Sequence, residues 1–188
     1  MEAILLRSTN VWYFGEGMFG PLLAIFTGSI GGDILDITWA WAIFLAVTGL
    51  ATILIGYIAD KKKGFTEELL LIGYALNALF TFGYLFIDTS YGLFFIESGL
   101  GLAAAFATPT WDALYSKYED KKNPTFTWAK HEGQYRLITG AGIVLGGFIV
   151  SYISFDMLFA IMGIIQVIAF ISQASLFWRN RDFLKEIG

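Results

Sequence analysis

Two carboxylates, Glu16 and Glu97, sit in long apolar stretches that hold no Lys or Arg. An ionised side chain at the centre of a bilayer costs roughly 2.5–3.5 kcal/mol even on the mild insertion scale, so such groups ordinarily face a cavity or pair with a neighbour. Burial without a fixed cation favours the neutral form of any acid, which suits a group that takes up a proton and returns it. Glu16 lies between Gly15 and Gly17, which leave room for water or ligand. The competing role for each glutamate is structural, a protonated acid bonded to a neighbouring helix. Other chemistries lack their residues. With no cysteine and the single His131, Ser–His, Cys–His and metal centres lack their parts. Neither glutamate lies in a catalytic motif, so an enzyme, a metal site and a cofactor are not expected.

The two glutamates occupy matched positions in an internal repeat. Residues 13–27 read YFGEGMFGPLLAIFT and residues 94–108 read FFIESGLGLAAAFAT, each with two aromatics, the glutamate, a glycine (Gly20, Gly101) and a closing threonine (Thr27, Thr108). TGLATILIGYI at 48–58 matches TGAGIVLGGFI at 139–149, and LLLIGYALNALF at 69–80 matches FAIMGIIQVIAF at 159–170 more weakly. Three segments are thus followed by three related ones, about 8–87 and 90–178. An odd number of spans per copy reverses the second copy in the membrane, an arrangement found in many secondary transporters. Glu16 is then nearer the inner side and Glu97 nearer the outer.

The rest of the chain must position these groups within a bilayer. Hydrophobic residues make up 56% and charged residues 15%, against about 25% charged in a soluble domain. A membrane-spanning helix takes roughly 20 apolar residues. Six stretches qualify, about 10–32, 38–59, 68–87, 91–113, 135–154 and 156–178. They are expected as helices because the backbone must satisfy itself in lipid, and the two-residue alternation of a barrel is absent. The fold class expected is therefore an all-α membrane protein, one six-helix domain over 1–188 with a cytoplasmic tail at 179–188. The start, MEAILLRSTN, lacks a basic leader and cleavage site, so no cleavable signal is expected.

The basic residues fall on one face of this layout, while the opposite loops carry Asp33, Asp36, Asp88 and Asp156. The positive-inside rule places both termini in the cytoplasm, and the plasma membrane of a prokaryote is the expected location. Basic loop residues favour anionic inner-leaflet lipids; nucleic acid is not an expected partner. Residues 114–134 read as the longest loop, with His131 as a surface residue. Asn77, Gln166 and Gln173 on the third and sixth spans read as helix-to-helix hydrogen bonding. Asp112 and Arg136 bracket the long loop and form a conceivable gating pair.

The loop between the second and third spans, Gly56-Tyr-Ile-Ala-Asp60-Lys61-Lys62-Lys63-Gly64, resembles the signature loop of the major facilitator superfamily. Gly64 stands one residue later than in the usual pattern. In that family the glycine permits close helix packing and the aspartate joins a cytoplasmic charge network; here those roles fall to Gly56 and Asp60, with Lys61 and Lys62 in the basic part. Gly142-Ile143-Val-Leu-Gly146-Gly147 is similar to the glycine-rich fifth-helix motif of drug-exporting members, with Ile143 in place of its proline. Gly142, Gly146 and Gly147 also suit plain close packing.

The resemblance covers nearly the whole chain and implies half of the usual twelve-helix architecture, whose two halves are related by an axis along the membrane normal. It implies a proton-coupled transporter working by alternating access, completed as a homodimer through the transmembrane domain. A different partner chain, a longer parent protein and a non-transporting membrane module remain alternatives. The absence of basic residues from the interiors of the spans, Arg136 standing at the very start of its span, points to a small neutral, cationic or hydrophobic substrate rather than a strong anion.

Overall fold

The computed structural model describes residues 2–61, 64–118 and 121–179; Lys62 of the signature loop and the tail from residue 180 lie outside the described residues. The described residues form seven α-helices: α1 (Glu2–Gly17), α2 (Leu23–Ser29), α3 (Ile34–Lys61), α4 (Thr66–Gly83), α5 (Ser90–Tyr118), α6 (Pro124–Tyr152) and α7 (Phe155–Arg179). Five helical stretches, α3 to α7, are long and apolar enough to cross a membrane, and no strand occurs among the described residues.

The first expected span, 10–32, is not one helix. α1 begins earlier and stops at Gly17, a single 3-10 turn follows at Gly20–Leu22, and α2 completes the passage. Pro21 has no N–H to donate and disfavours helical backbone at the residue before it. Around the break the backbone falls back on tighter bonds, Met18 N–H to the Gly15 carbonyl at 3.2 Å and Leu22 N–H to the Phe19 carbonyl at 2.7 Å. Pro109, by contrast, lies inside α5 without ending it.

The long polar loop is also different from the expectation. α5 continues to Tyr118 and α6 starts at Pro124, so most of 114–134 is helical. Proline suits the first turn of a helix, where its missing N–H would have had no partner. His131 is consequently buried, its ring stacked on Trp111 with centroids 4.5 Å apart. The surface position expected for it is wrong because α6 begins before it and holds it, beside Trp128, against Trp111 and Tyr115 of α5.

α5 packs against α3 and α4, α7 against α4 and α1, and α6 against α1. Exchanging α1, α3 and α4 for α5, α6 and α7 in order maps this set of pairings onto itself. Two cores result. One joins Phe19, Phe26, Tyr84 and Phe159, and the other joins Leu5, Tyr74, Trp111, Tyr115 and Phe177. α3 and α6 bury the smallest share of their apolar residues.

Without a hydrophobic force between helices in lipid, association depends on close van der Waals packing and interhelical hydrogen bonds. Gly142 and Gly146 supply the first. A Cβ at Gly142 would lie 2.5 Å from the Phe14 carbonyl oxygen, and one at Gly146 would overlap the Met18 carbonyl. Gly147 does not share this role, since nothing lies within 4 Å of the equivalent position. One residue further along an α-helix it points about 100° away from Gly146. Gly146→Ala is therefore expected to destabilise the protein by about 1–3 kcal/mol through overpacking, whereas Gly147→Ala is expected to be neutral or mildly stabilising, because alanine is the better helix former. Thermal unfolding of the two variants in detergent, followed by loss of the monodisperse species, checks the contrast.

Candidate functional site

Glu16 sits in the last turn of α1, just before the break. Gly17 lines the cavity described below, but where a Cβ would stand both glycine neighbours meet protein rather than water. A Cβ at Gly15 would lie 2.6 Å from Gln166 Nε2, and one at Gly17 would lie 2.6 Å from the Thr139 carbonyl oxygen. The two glycines admit α7 and α6 to the surface of α1, and the gap is filled by protein.

That approach determines what holds the carboxyl group. Asn77 Nδ2 on α4 donates to Glu16 Oε1 at 2.9 Å. Gln166 Nε2 on α7 donates to the same oxygen at 3.3 Å and to the Trp12 carbonyl at 3.2 Å. Two neutral amides thus anchor one carboxyl oxygen, and no salt bridge to Glu16 occurs among the described residues. Asn77 and Gln166 do join helices, as expected, but through Glu16 itself. Gln173, one turn and three residues further along α7, instead accepts a hydrogen bond from Ser8.

Glu16 lines a cavity of about 320 Å³, within the range of small-molecule sites. α1 contributes Trp12, Tyr13 and Gly17; α4 contributes Tyr74 beside Asn77; α5 contributes Trp111 and Asp112; α6 contributes Tyr135, Thr139 and Ile143; and Phe44 comes from α3. The aromatic rings brace one another. Trp12 meets Tyr74 edge-on with centroids 4.4 Å apart, and Tyr13 lies 4.2 Å from Tyr135. The Tyr74 hydroxyl is 3.1 Å from Thr9 Oγ1. Trp111, stacked on both Tyr115 and His131, leaves its indole N–H without a hydrogen-bond partner among the described residues.

Glu97 stands apart from this cavity. It is 4% exposed and accepts a hydrogen bond of 2.6 Å from the Tyr84 hydroxyl. The Tyr84 ring lies in the aromatic core against Phe159, 4.8 Å away and nearly parallel. Of the two matched glutamates, Glu16 lines this cavity, whereas Glu97 on α5 is covered by Tyr84 from the turn after α4.

The remaining candidates are dispersed. Asp112 borders the cavity, but Arg136 pairs with Glu132 one helical turn before it at 3.1 Å, so the Asp112–Arg136 pair does not form. Gly56 has nothing within 4 Å of the position a Cβ would take, so it makes no close helix contact among the described residues. Asp60 is exposed, and Lys61 Nζ lies over the Tyr57 ring at 4.4 Å. No cluster of His, Cys, Asp or Glu suited to a metal occurs among the described residues.

The model of the Major Facilitator Superfamily matches residues 8–187. The chain belongs to that superfamily. The match includes the broken first span, the cavity residues and the signature loop. Among solved structures, the fold is similar to the POT family transporter PepTSo in a crystal structure grown in meso, with a TM-score of 0.73 at 14% sequence identity. The likeness covers 96% of this chain and 37% of that one, and at this identity it speaks for the fold alone. No curated protein sequence matches. Family and fold make the chain an integral membrane protein of a transporter family, not an enzyme.

The two carboxyl networks lead to one expectation each. Stability cycles combining Glu16→Ala with Asn77→Ala are expected to be non-additive, with a coupling on the order of 0.6–2 kcal/mol, the range of hydrogen bonds between membrane helices. Tyr84→Phe is expected to cost about 1–3 kcal/mol, because it leaves the buried Glu97 without its donor. Thermal unfolding in one detergent checks both.

Proposed function

We propose that this chain is one six-helix half of a proton-coupled secondary transporter, completed by a second copy of itself. The homodimer would move a small neutral, cationic or hydrophobic solute by alternating access. The observation that carries this reading is Glu16: a carboxyl group in the cavity wall, held by neutral amides and matched by no fixed cation. A carboxylate paired with Arg or Lys would remain ionised; one held by Asn77 and Gln166 is free to exchange a proton with the cavity. Because both amides grip Oε1, changes at Glu16 reach α4 and α7 directly.

Two features support completion by a second unit. α3 and α6, the helices least buried within the chain, both contribute to the cavity wall. A six-helix partner laid across them would roof the cavity and cover their apolar faces. Gly56, with open space beside it, would then find its close neighbour on the partner, with Asp60, Lys61 and Lys62 forming the cytoplasmic gate. The pairing of helices, which survives exchange of the first three spans with the last three, supports an inverted repeat of three and three spans. Such a repeat lets rocking about the site open either face.

The test uses proteoliposomes with a trapped pH indicator and a panel of small neutral and monocationic solutes. At least one solute is expected to move protons with the native chain, and Glu16→Gln is expected to reduce that movement at least tenfold. Full proton movement in Glu16→Gln would remove Glu16 from the mechanism. The mass of the protein in nanodiscs is expected to be twice that of one chain. A single-chain mass under conditions that preserve transport would overturn the homodimer.

A further inference from the structure

We infer that the cavity selects an organic monocation carrying an apolar group, with Glu16 as the anion that meets its charge. This deepens the transport reading and rests on it only in taking the cavity as the solute site. Three observations converge. The cavity wall bears two carboxylates, Glu16 and Asp112, and none of its residues is basic. Its walls present the aromatic residues Trp12, Tyr13, Tyr74, Trp111 and Tyr135, which attract cations through their ring faces while offering apolar area. The amides of Asn77 and Gln166 converge on Oε1 alone, leaving Oε2 without a protein donor among the described residues.

An anion would meet two carboxylates and no counter-charge here. A neutral apolar solute would gain the rings but would leave Glu16 unanswered. An inorganic cation would use the carboxylates but leave the apolar aromatic wall without a partner. A monocation with an aromatic or branched apolar body uses both parts of the wall. Arg136, outside the cavity lining, sits over the ring of the lining residue Tyr135 at 5.8 Å and pairs with Glu132, the same kind of cation-over-aromatic contact. Trp12 and Tyr13 adjoin Glu16 in chain order, so the α1 segment that carries the charge also carries two of the rings.

Equilibrium binding to the purified full chain in nanodiscs tests this without any ion gradient. Three probes share the benzyl group: benzyltrimethylammonium, its neutral isostere 2,2-dimethylpropylbenzene, and the anion phenylacetate. The cation is expected to bind at least tenfold tighter than either other probe. Glu16→Gln is expected to reduce that preference to threefold or less. Asp156→Asn, which removes one negative charge remote from the cavity, is expected to leave the preference intact and controls for overall charge. Because the glutamine side chain retains an oxygen for Asn77 and Gln166, Glu16→Gln should fold; a native-like unfolding temperature verifies it.

The inference is overturned if the neutral or anionic probe binds as tightly as the cation, if Glu16→Gln keeps the full preference, or if no probe binds. Failure of proton movement in vesicles with the cation preference intact would remove the transport mechanism and leave this specificity standing. Proton coupling with no cation preference would do the reverse.

Discussion

The structure depends on how closely α1 can be approached. Four glycines set that distance. Gly15 and Gly17 lie on α1, and Gly142 and Gly146 lie on α6; at each, a side-chain atom would collide with a neighbouring helix. In lipid, apolar side chains gain little by leaving one hydrocarbon surface for another, so contact distance and hydrogen bonds decide which helices associate. The bare faces of α1 and α6 let backbone meet backbone. The gap at Gly15 lets the Gln166 amide come within 3.3 Å of Glu16. An alanine at Gly15 would push α7 outward and lengthen that bond. Close packing and the polar contact are therefore one feature.

The break after Gly17 follows from the same segment. Gly17, Gly20 and Pro21 lie within five residues, and the chain passes through them as a 3-10 turn before α2 resumes. Helix breaks at membrane depth are tolerated where neighbouring protein or a cavity takes up the freed backbone groups. Here Met18 is fully buried and its carbonyl lies against Gly146, while Gly17 and Gly20 border the cavity. The carboxyl group that defines the site thus sits at the end of a helix, beside an irregular turn. The irregular turn offers a change of backbone geometry that a continuous helix would resist.

Glu16 and Glu97 show how far matched sequence departs from matched environment. Their flanking residues correspond, and both lie on spans that begin a triplet. Glu16 meets amides from α4 and α7 and a cavity; Glu97 meets a tyrosine hydroxyl inside an aromatic core. The difference comes from the third spans. Asn77 on α4 reaches α1, whereas Gln166, at a nearby place in the weakly matched copy on α7, also turns toward α1 rather than α5. The amides serve one glutamate, and Tyr84 serves the other. This difference between the matched segments leaves one carboxyl group at the cavity while the other is bound inside the opposite core.

The sequence by itself determined that this is a chain of apolar helices, that two acids lie within them, and that a loop of superfamily type follows the second span. These follow from local composition: a bilayer demands long apolar runs, and a buried carboxylate is costly wherever the fold places it. Hydropathy averaged over 10–32 hides the break at Pro21 in the first span. Only the tertiary structure decided which acid borders the cavity, that Gly15 and Gly17 seat helices rather than water, that Arg136 turns to Glu132 instead of Asp112, and that His131 is stacked beneath Trp111. Each of those depends on which helix faces which, through side chains 20 or more residues apart along the chain or through the rotation of a single helical turn. Hydrophobic periodicity cannot supply that information here, because helices in lipid are apolar on nearly every face.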